Sequence, residues 1–200
     1  MTKALLFDLG DVIVGLDFDR AYRRVAGLLG RPASGVPASI READLAGPYE
    51  RGEISSAQFH RAFCQAVGID LAYGEFHEIW EDMFQPEPLV PESFFESVRG
   101  RYRLVLLSNT NEIHFDSILR RYPVLRWFDD FVLSYRVGAL KPSPVIYEEA
   151  VRVASCRPEE CFFTDDKIEN IEGAVTAGLD AVRFEGWTNL EQHLRQRSVV

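Results

Sequence analysis

The sequence predicts an α/β fold, in which a Rossmann-like parallel sheet forms the core and a small all-helical cap follows the first strand. Three observations support this prediction: five short apolar runs spread along the chain, helical patterns between them, and an aromatic-rich helical region after the first run. Strands that alternate with helices form parallel sheets that are covered on both faces. A chain of 200 residues suits one such core with a modest insert.

The five apolar runs are short enough to be buried strands rather than helices. The first is ALLF at residues 4–7, and the others lie at residues 104–107, 131–133, 161–163 and 181–184. In an open parallel sheet, ligands bind where the carboxyl ends of the strands meet. The residues directly after these runs are therefore the ones to search for chemistry.

Three helices are predicted between the first and second runs, from apolar residues at helical spacing. The first starts near Asp17 or Asp19 and stops at Gly30, and Ser55 or Ser56 begins the second. The third carries Phe76, Ile79 and Trp80. We predict a helical cap at residues 16–85, a core made of residues 1–15 and 86–200, and hinges at residues 15–16 and 85–91.

Composition excludes several classes of partner. The formal net charge is −9, which argues against nucleic acid and anionic membrane surfaces. No apolar stretch of about 20 residues predicts a membrane span. Three cysteines without a CxxC pattern favour reduced thiols and a cytoplasmic location. The sequence does not indicate an oligomeric state.

Polar residues follow four of the predicted strands. Asp8 follows the first, Ser108 and Asn109 the second, Lys141 comes a few residues after the third, and the pair Asp165-Asp166 follows the fourth. Because the carboxyl ends of parallel strands lie at one edge of the sheet, these groups are expected to converge. Each also has an ordinary alternative role, such as a helix cap or a solvated loop charge.

These segments resemble, in order, the four motifs of the haloacid dehalogenase superfamily. The matching stretches are LLFDLGDVIV, VLLSNT, LKPSPVIY and FFTDDKIENIEGA. The helical insert is similar to the cap of the subgroup whose cap lies between the first two motifs. The stretches YERGEIS and SNTNEIH resemble the bacterial branch that includes sugar-phosphate phosphatases and haloacid dehalogenases.

The resemblance implies a Mg²⁺-dependent phosphatase of a small phosphorylated metabolite, with a sugar phosphate favoured, acting through an aspartyl phosphate. Asp8 is expected to be the nucleophile and a metal ligand, together with Asp166 and the Gly10 carbonyl, while Asp165 completes the metal site through water or by supporting the direct ligands. Lys141, Ser108 and the Asn109 backbone are expected to hold the phosphoryl oxygens.

Gly10 departs from the pattern of most phosphatases of this superfamily, which carry a second aspartate there as the general acid and base. General acid catalysis contributes about 10²–10⁴-fold. We therefore expect slow turnover, a better leaving group or a replacement acid, for which Asp11 is the nearest candidate in the sequence. Asn170 is a candidate hydrogen-bond partner of the acid-pair loop.

Two alternative functions remain open from the sequence. The first is a metal-free 2-haloacid dehalogenase, in which Arg20, Arg23 or Arg24 would bind the substrate carboxylate. The acid pair argues against it, since that chemistry does not need a metal site. The second is a non-catalytic phosphate-binding or regulatory module, which Gly10 keeps open.

Overall fold

A five-stranded parallel sheet forms the centre of the computed structural model, which describes residues 1–30, 32 and 35–200. The strands are β1 (Ala4–Phe7), β2 (Val14–Leu16), β3 (Phe84–Pro88), β4 (Arg103–Ser108), β5 (Asp130–Leu133), β6 (Cys161–Asp165) and β7 (Asp180–Arg183). The sheet has the order β5-β4-β1-β6-β7, and each neighbouring pair is parallel. The five predicted strands are confirmed, with ends that differ by one or two residues.

Eleven α-helices are found in the described residues, besides short 3-10 helices at Pro123–Trp127 and Pro158–Glu160. They are α1 (Phe18–Leu29), α2 (Gly35–Glu42), α3 (Ala46–Glu50), α4 (Ser56–Val67), α5 (Tyr73–Glu81), α6 (Glu92–Val98), α7 (Glu112–Arg121), α8 (Ser134–Val137), α9 (Pro144–Ala154), α10 (Ile168–Thr176) and α11 (Trp187–Gln196). Across these described ranges, none is long and apolar enough to cross a lipid bilayer.

The central strand β1 is buried on both faces of the sheet and is apolar at every position. In β1, Leu5 and Phe7 face one layer, which includes side chains of α6 and α11, whereas Ala4 and Leu6 face the layer of α9 and α10. All four side chains are fully buried. Burying a large apolar side chain contributes about 1.5–3 kcal/mol. This two-sided burial fixes the carboxyl end of β1, and with it Asp8.

The insert after β1 forms a helical lid, made here of α1 to α5. Helix α1 ends where Gly30 adopts a left-handed conformation, and Ser55 caps α4 through a reciprocal pair of hydrogen bonds with Gln58. Helices α2 and α3 were not predicted. Helix α3 has five residues and contains a glycine and a proline, so it is too short to show a helical period.

An aromatic cluster holds the lid together. It consists of Phe59, Phe63, Phe76 and Trp80, whose neighbouring ring centroids lie 5.1–6.4 Å apart. Trp80 also stacks on His114 of α7, with 5.7 Å between the ring centroids. The buried side chains of the lid and of one face of the sheet therefore form one continuous apolar core.

The two predicted hinge segments form a short ribbon rather than irregular loops, because β2 and β3 pair antiparallel. Gly15 permits their close approach, since a Cβ atom there would lie 2.6 Å from the Gln85 side chain. The boundaries of the predicted core and cap stay a prediction, but the lid helices lie between Phe18 and Glu81.

A second contact joins the lid to the core at Gly52, which follows α3. Its φ of 70° is left-handed, and a Cβ atom there would lie 2.2 Å from the Tyr135 carbonyl oxygen of α8. Only a glycine satisfies both conditions without displacement of the lid.

Gly52→Ala is expected to lower the free energy of unfolding by about 2 kcal/mol or more, because the left-handed conformation alone costs about 1–2 kcal/mol in other residues. Urea denaturation measures the change. The matched control is Gly27→Ala in α1, where a Cβ atom meets nothing within 4 Å and the variant should be as stable as wild type or more so. Equal stability of the two variants would contradict this role of Gly52.

Candidate active site

The ammonium group of Lys141 lies at the centre of the carboxyl edge of the sheet. Its Nζ atom donates to Asp8 Oδ1 at 2.6 Å, to Asp165 Oδ2 at 2.6 Å and to the Leu107 carbonyl at 2.8 Å. Three donors are the full capacity of an ammonium group. The side chain is 1% exposed, so the contacts with both carboxylates are made away from solvent.

Asn109 holds the backbone of Lys141 in place. The Lys141 N–H donates to Asn109 Oδ1 at 2.7 Å, and Asn109 Nδ2 donates to the Lys141 carbonyl at 3.0 Å. The lysine lies on a loop after β5, whereas Asn109 follows the neighbouring strand β4. This side-chain clamp was not predicted, because it depends on two loops that only the folded sheet brings together.

Burial and charge shift the pKa values of the cluster. Burial, supported by the Asp165 charge, raises the pKa of Asp8 to about 6, against the opposing effect of Lys141. Burial disfavours the charged form of Lys141, but the two carboxylates outweigh it and raise the pKa of the lysine. The ammonium therefore stays charged, whereas burial, with a smaller contribution from the Asp165 charge, disfavours the charged form of Asp8.

The residues present fit a divalent cation. Asp8, Asp165 and Asp166 each offer a carboxylate oxygen, and these oxygens lie within 4.8 Å of one another. When ionised, three carboxylates and one ammonium carry a formal charge of minus two, which a divalent cation would balance. Hard oxygen donors of this kind are the ligands that Mg²⁺ prefers.

The two acids of the pair differ in what already binds them. Asp165 is fully buried and accepts hydrogen bonds from Lys141, from Asn170 Nδ2 and from the Lys167 N–H. Asp166 is half-buried, and burial followed by the Asp165 charge raises its pKa. The bond from Asn170 confirms the predicted contact with the acid-pair loop.

A side chain at position 10 would require the Leu16 side chain to move. A Cβ atom on Gly10 would lie 2.9 Å from Leu16 Cδ1 of β2. The neighbouring Asp11 has a φ of 55° and accepts the Leu16 N–H through Oδ1 at 2.9 Å. Asp11 thus holds the loop that follows β1 against strand β2.

A cavity of about 540 Å³ lies between the lid and this edge of the sheet. Its core side is lined by polar groups, among them Asp8, Gly10, Ser108, Asn109, Lys141, Asp166 and Lys167. Its lid side is largely apolar, lined by Phe18, Tyr22, Ile40, Tyr49, Phe59, Trp80 and Phe84, with Glu50 as an acid. The predicted site residues thus meet at one cavity, with Asp165 buried beneath them.

Several alternatives for these residues can be compared with the structure. Helix α7 is capped by Asn111, whose Oδ1 accepts the His114 N–H at 3.1 Å, so Ser108 does not cap it. Arg20 and Arg24 lie on the lid surface, where they contact Asp82 and Glu78. Arg23 lies 3.9 Å from Asp17. Among the described residues, no arginine lines the cavity.

Two features of the site had no clear signal in the sequence. Lys167 lies at the exposed rim, directly after the acid pair. Tyr49 donates its hydroxyl hydrogen to Ser56 at 2.9 Å and accepts the Ile113 N–H at 3.3 Å, which ties the lid to the first turn of α7. The contact between Tyr49 and Ile113 could not be predicted from the sequence, because it depends on how the lid lies over the core.

Comparison with known proteins agrees with the geometry of the site. A family model described as haloacid dehalogenase-like hydrolase matches residues 2–178. A D-ribitol-5-phosphate phosphatase from Bacteroides thetaiotaomicron is 27% identical over 97% of this chain and 97% of its own length. A glyceraldehyde 3-phosphate phosphatase from Methanothermobacter thermautotrophicus is 28% identical over 91% of this chain and 85% of its own.

Among solved structures, this chain is similar to a haloacid dehalogenase family enzyme from Bacteroides thetaiotaomicron in complex with magnesium and inorganic phosphate. The TM-score is 0.82 at 26% identity, over 95% of this chain and 99% of the other. The described fold is the one expected for such a match.

His114, which lines the cavity, gives a test of the buried environment. Burial lowers the pKa of His114 to about 3 from an ordinary value near 6.5. As the pH falls, the unfolded chain takes up this proton first, so the folded state loses up to about 1.4 kcal/mol per pH unit below 6.5.

We expect wild type to lose about 2 kcal/mol more of its free energy of unfolding than His114→Phe when the pH is lowered from 7 to 5. Phenylalanine keeps a ring against Trp80. Other groups, such as Asp8, change the free energy of unfolding with pH equally in both proteins, so their contributions cancel in the comparison. Urea denaturation at both pH values measures the difference. Parallel loss of stability in the two proteins would show that His114 protonates freely in the fold.

Proposed function

The chain belongs to the haloacid dehalogenase-like hydrolase family, and from this premise we propose that it is a Mg²⁺-dependent phosphatase of a small phosphorylated metabolite, with a sugar phosphate favoured. One observation supports this most: Asp8, Lys141 and the acid pair meet at the polar end of a cavity that also contains Ser108. The named activities of two relatives support the choice of a phosphorylated substrate.

Asp8 is the nucleophile in this proposal. Lys141 binds one carboxylate oxygen and thereby orients the group, and its positive charge favours the ionised, nucleophilic form. Attack of a carboxylate oxygen on phosphorus forms an aspartyl phosphate and expels the alcohol, after which water releases phosphate. The fixed contacts of Lys141 with Asp165 and the Leu107 carbonyl keep the ammonium in place through both steps.

Magnesium would be held by Asp8, Asp166 and the Gly10 carbonyl, with Asp165 behind them, and would supply charge neutralisation between the nucleophile and the phosphate. Asp165 is the residue that binds Lys141 and Asn170 directly, which favours Asp166 as the ligand with a free carboxylate. A phosphate monoester carries nearly two negative charges at neutral pH, so a bare carboxylate site would repel it.

Donors at the end of β4 would bind oxygens of the transferred phosphoryl group. Ser108, Asn109 and Lys141 line the polar end of the cavity, and the Ser108 hydroxyl and the Asn109 backbone N–H are the proposed donors. Preorganised donors of this kind stabilise the charge of the transferring group. The Asn109 side chain contributes indirectly, since it fixes the Lys141 backbone.

The 2-haloacid dehalogenase alternative is less well supported. That activity needs a cation to bind the substrate carboxylate, and the three candidate arginines lie on the lid surface, outside the cavity. The cluster of three carboxylates also suits a bound metal ion, which the dehalogenase reaction does not need. The other alternative is a phosphate-binding module without turnover. The following experiment distinguishes it from a phosphatase.

We expect wild type with Mg²⁺ to release inorganic phosphate from sugar and polyol phosphates such as D-ribitol 5-phosphate. Removal of the metal with EDTA should abolish release, and added Mg²⁺ should restore it. Asp8→Asn should lower kcat by at least about 10³-fold, because the amide is not a nucleophile. A colorimetric phosphate assay over a panel of metabolites measures these rates.

The control for folding is the melting temperature of Asp8→Asn in the same buffer. Release of phosphate at background rates by both proteins across the panel would leave the binding-module alternative. Release of chloride from 2-chloropropionate without added metal would instead favour the dehalogenase.

A further inference from the structure

We propose that Glu50 of the lid is the general acid and base of the reaction, in place of the side chain that position 10 lacks. Glu50 is the last residue of α3 and lines the same cavity as Asp8 and Lys141. The inference rests on the phosphatase function proposed above and assigns a role that neither that function nor the motif residues supply.

The Glu50 carboxyl lies on the cavity wall without a partner in the part of the chain that the structure describes. It is half-buried, and in residues 1–30, 32 and 35–200 it has neither a hydrogen-bond nor an ion-pair partner. An acid on a cavity wall that no protein group binds keeps its oxygens free for a ligand. The leaving oxygen of a bound substrate would be the partner.

The same burial affects its protonation. Burial raises the pKa of Glu50, while the charges of Lys167, Arg51 and Lys141 act in the opposite direction. A carboxyl group that keeps its proton more readily than an exposed one is better suited to give that proton to a leaving oxygen. The three cations in turn stabilise the carboxylate that remains.

The segment that carries Glu50 is fastened to the core on both sides. Tyr49, the preceding residue, contacts Ser56 and the Ile113 N–H, and Gly52 packs against the Tyr135 carbonyl. Residues 49–52 are therefore placed by the core itself when the lid lies over it. A general acid needs this positional accuracy, because proton transfer requires contact at hydrogen-bond distance.

Three other ionisable side chains around the cavity suit the role less well. Asp11 already accepts the Leu16 N–H. The His114 imidazole accepts a hydrogen bond from Asn111 Nδ2 at Nδ1, its Nε2 atom is inaccessible, and its pKa of about 3 leaves it without a proton to give. The Tyr49 hydroxyl donates to Ser56, and burial raises its pKa to about 12.

The proposed proton transfers balance over the two steps. As an Asp8 oxygen bonds to phosphorus, the bond from phosphorus to the leaving oxygen breaks, and that oxygen takes its electron pair and the Glu50 proton to become the alcohol. Glu50, now a carboxylate, accepts a proton from the attacking water. The new oxygen–phosphorus bond forms, the Asp8–phosphorus bond breaks, and phosphate and both original groups are restored.

The test uses Glu50→Gln, which keeps size and removes the proton, and two substrates whose leaving groups differ. An alkyl phosphate such as D-ribitol 5-phosphate needs protonation of its leaving oxygen, whereas 4-nitrophenyl phosphate does not. In single-turnover experiments, the variant should release the polyol at least about 10²-fold more slowly than wild type, and 4-nitrophenol within about tenfold of wild type.

The second step should still need the base with either substrate. With 4-nitrophenyl phosphate we therefore expect a burst of 4-nitrophenol equal to the enzyme concentration, followed by a slow steady state as aspartyl phosphate accumulates. The matched control is Glu53→Gln, an exposed acid of the same lid segment that pairs with Arg51 and lies outside the cavity lining. It should behave as wild type.

Equal loss of both rates without a burst, or unchanged rates, would overturn the assignment of Glu50. Glu50→Ala provides a second measurement: added formate should restore polyol release if a missing acid is the cause, and no restoration would count against the proposal. If wild type releases phosphate from neither substrate, the phosphatase function itself fails and this inference with it.

Discussion

The ion cluster of Lys141 with Asp8 and Asp165 is the interaction on which the rest of the site depends. Removing charges from water is costly, and a buried ion pair is tolerated only when its partners satisfy each other fully. Here one ammonium group joins the ends of β1 and β6 to a loop beyond β5, and it also binds the end of β4. Four neighbouring strands are thereby tied at the edge where the substrate would bind. Replacing Lys141 would leave two carboxylates without their counter-charge in an enclosed place.

How much the sequence predicts depends on how local the signal is. The strands are readable because every position of β1 is apolar, and Asp8 is conspicuous because it ends such a run. The contact of Asn170 with Asp165 is readable too, since both lie in one short segment. The Asn109 clamp and the anchoring of Tyr49 are not, because each joins residues more than 30 positions apart. The five-residue α3 and the ribbon of β2 with β3 carry too few residues to show a period.

Gly10 illustrates how one substitution changes several neighbours at once. The absence of a Cβ atom lets Leu16 approach the catalytic loop, and Asp11 then binds the Leu16 backbone. A side chain at position 10 would displace the end of Leu16, which belongs to β2. The opposite wall of the cavity carries the proposed acid, Glu50, among aromatic rings of the lid. The loop after β1, the ribbon of β2 and β3, and the lid helices are therefore coupled by direct contacts.

The continuity of the apolar core across the lid has a thermal consequence. Lifting the lid separates Trp80 from His114 and brings water onto rings that are otherwise covered. Hydration of apolar surface raises the heat capacity, so the enthalpy and entropy of opening both change with temperature. An Arrhenius plot of any step limited by the escape of product would consequently be curved, with no single activation energy to describe it.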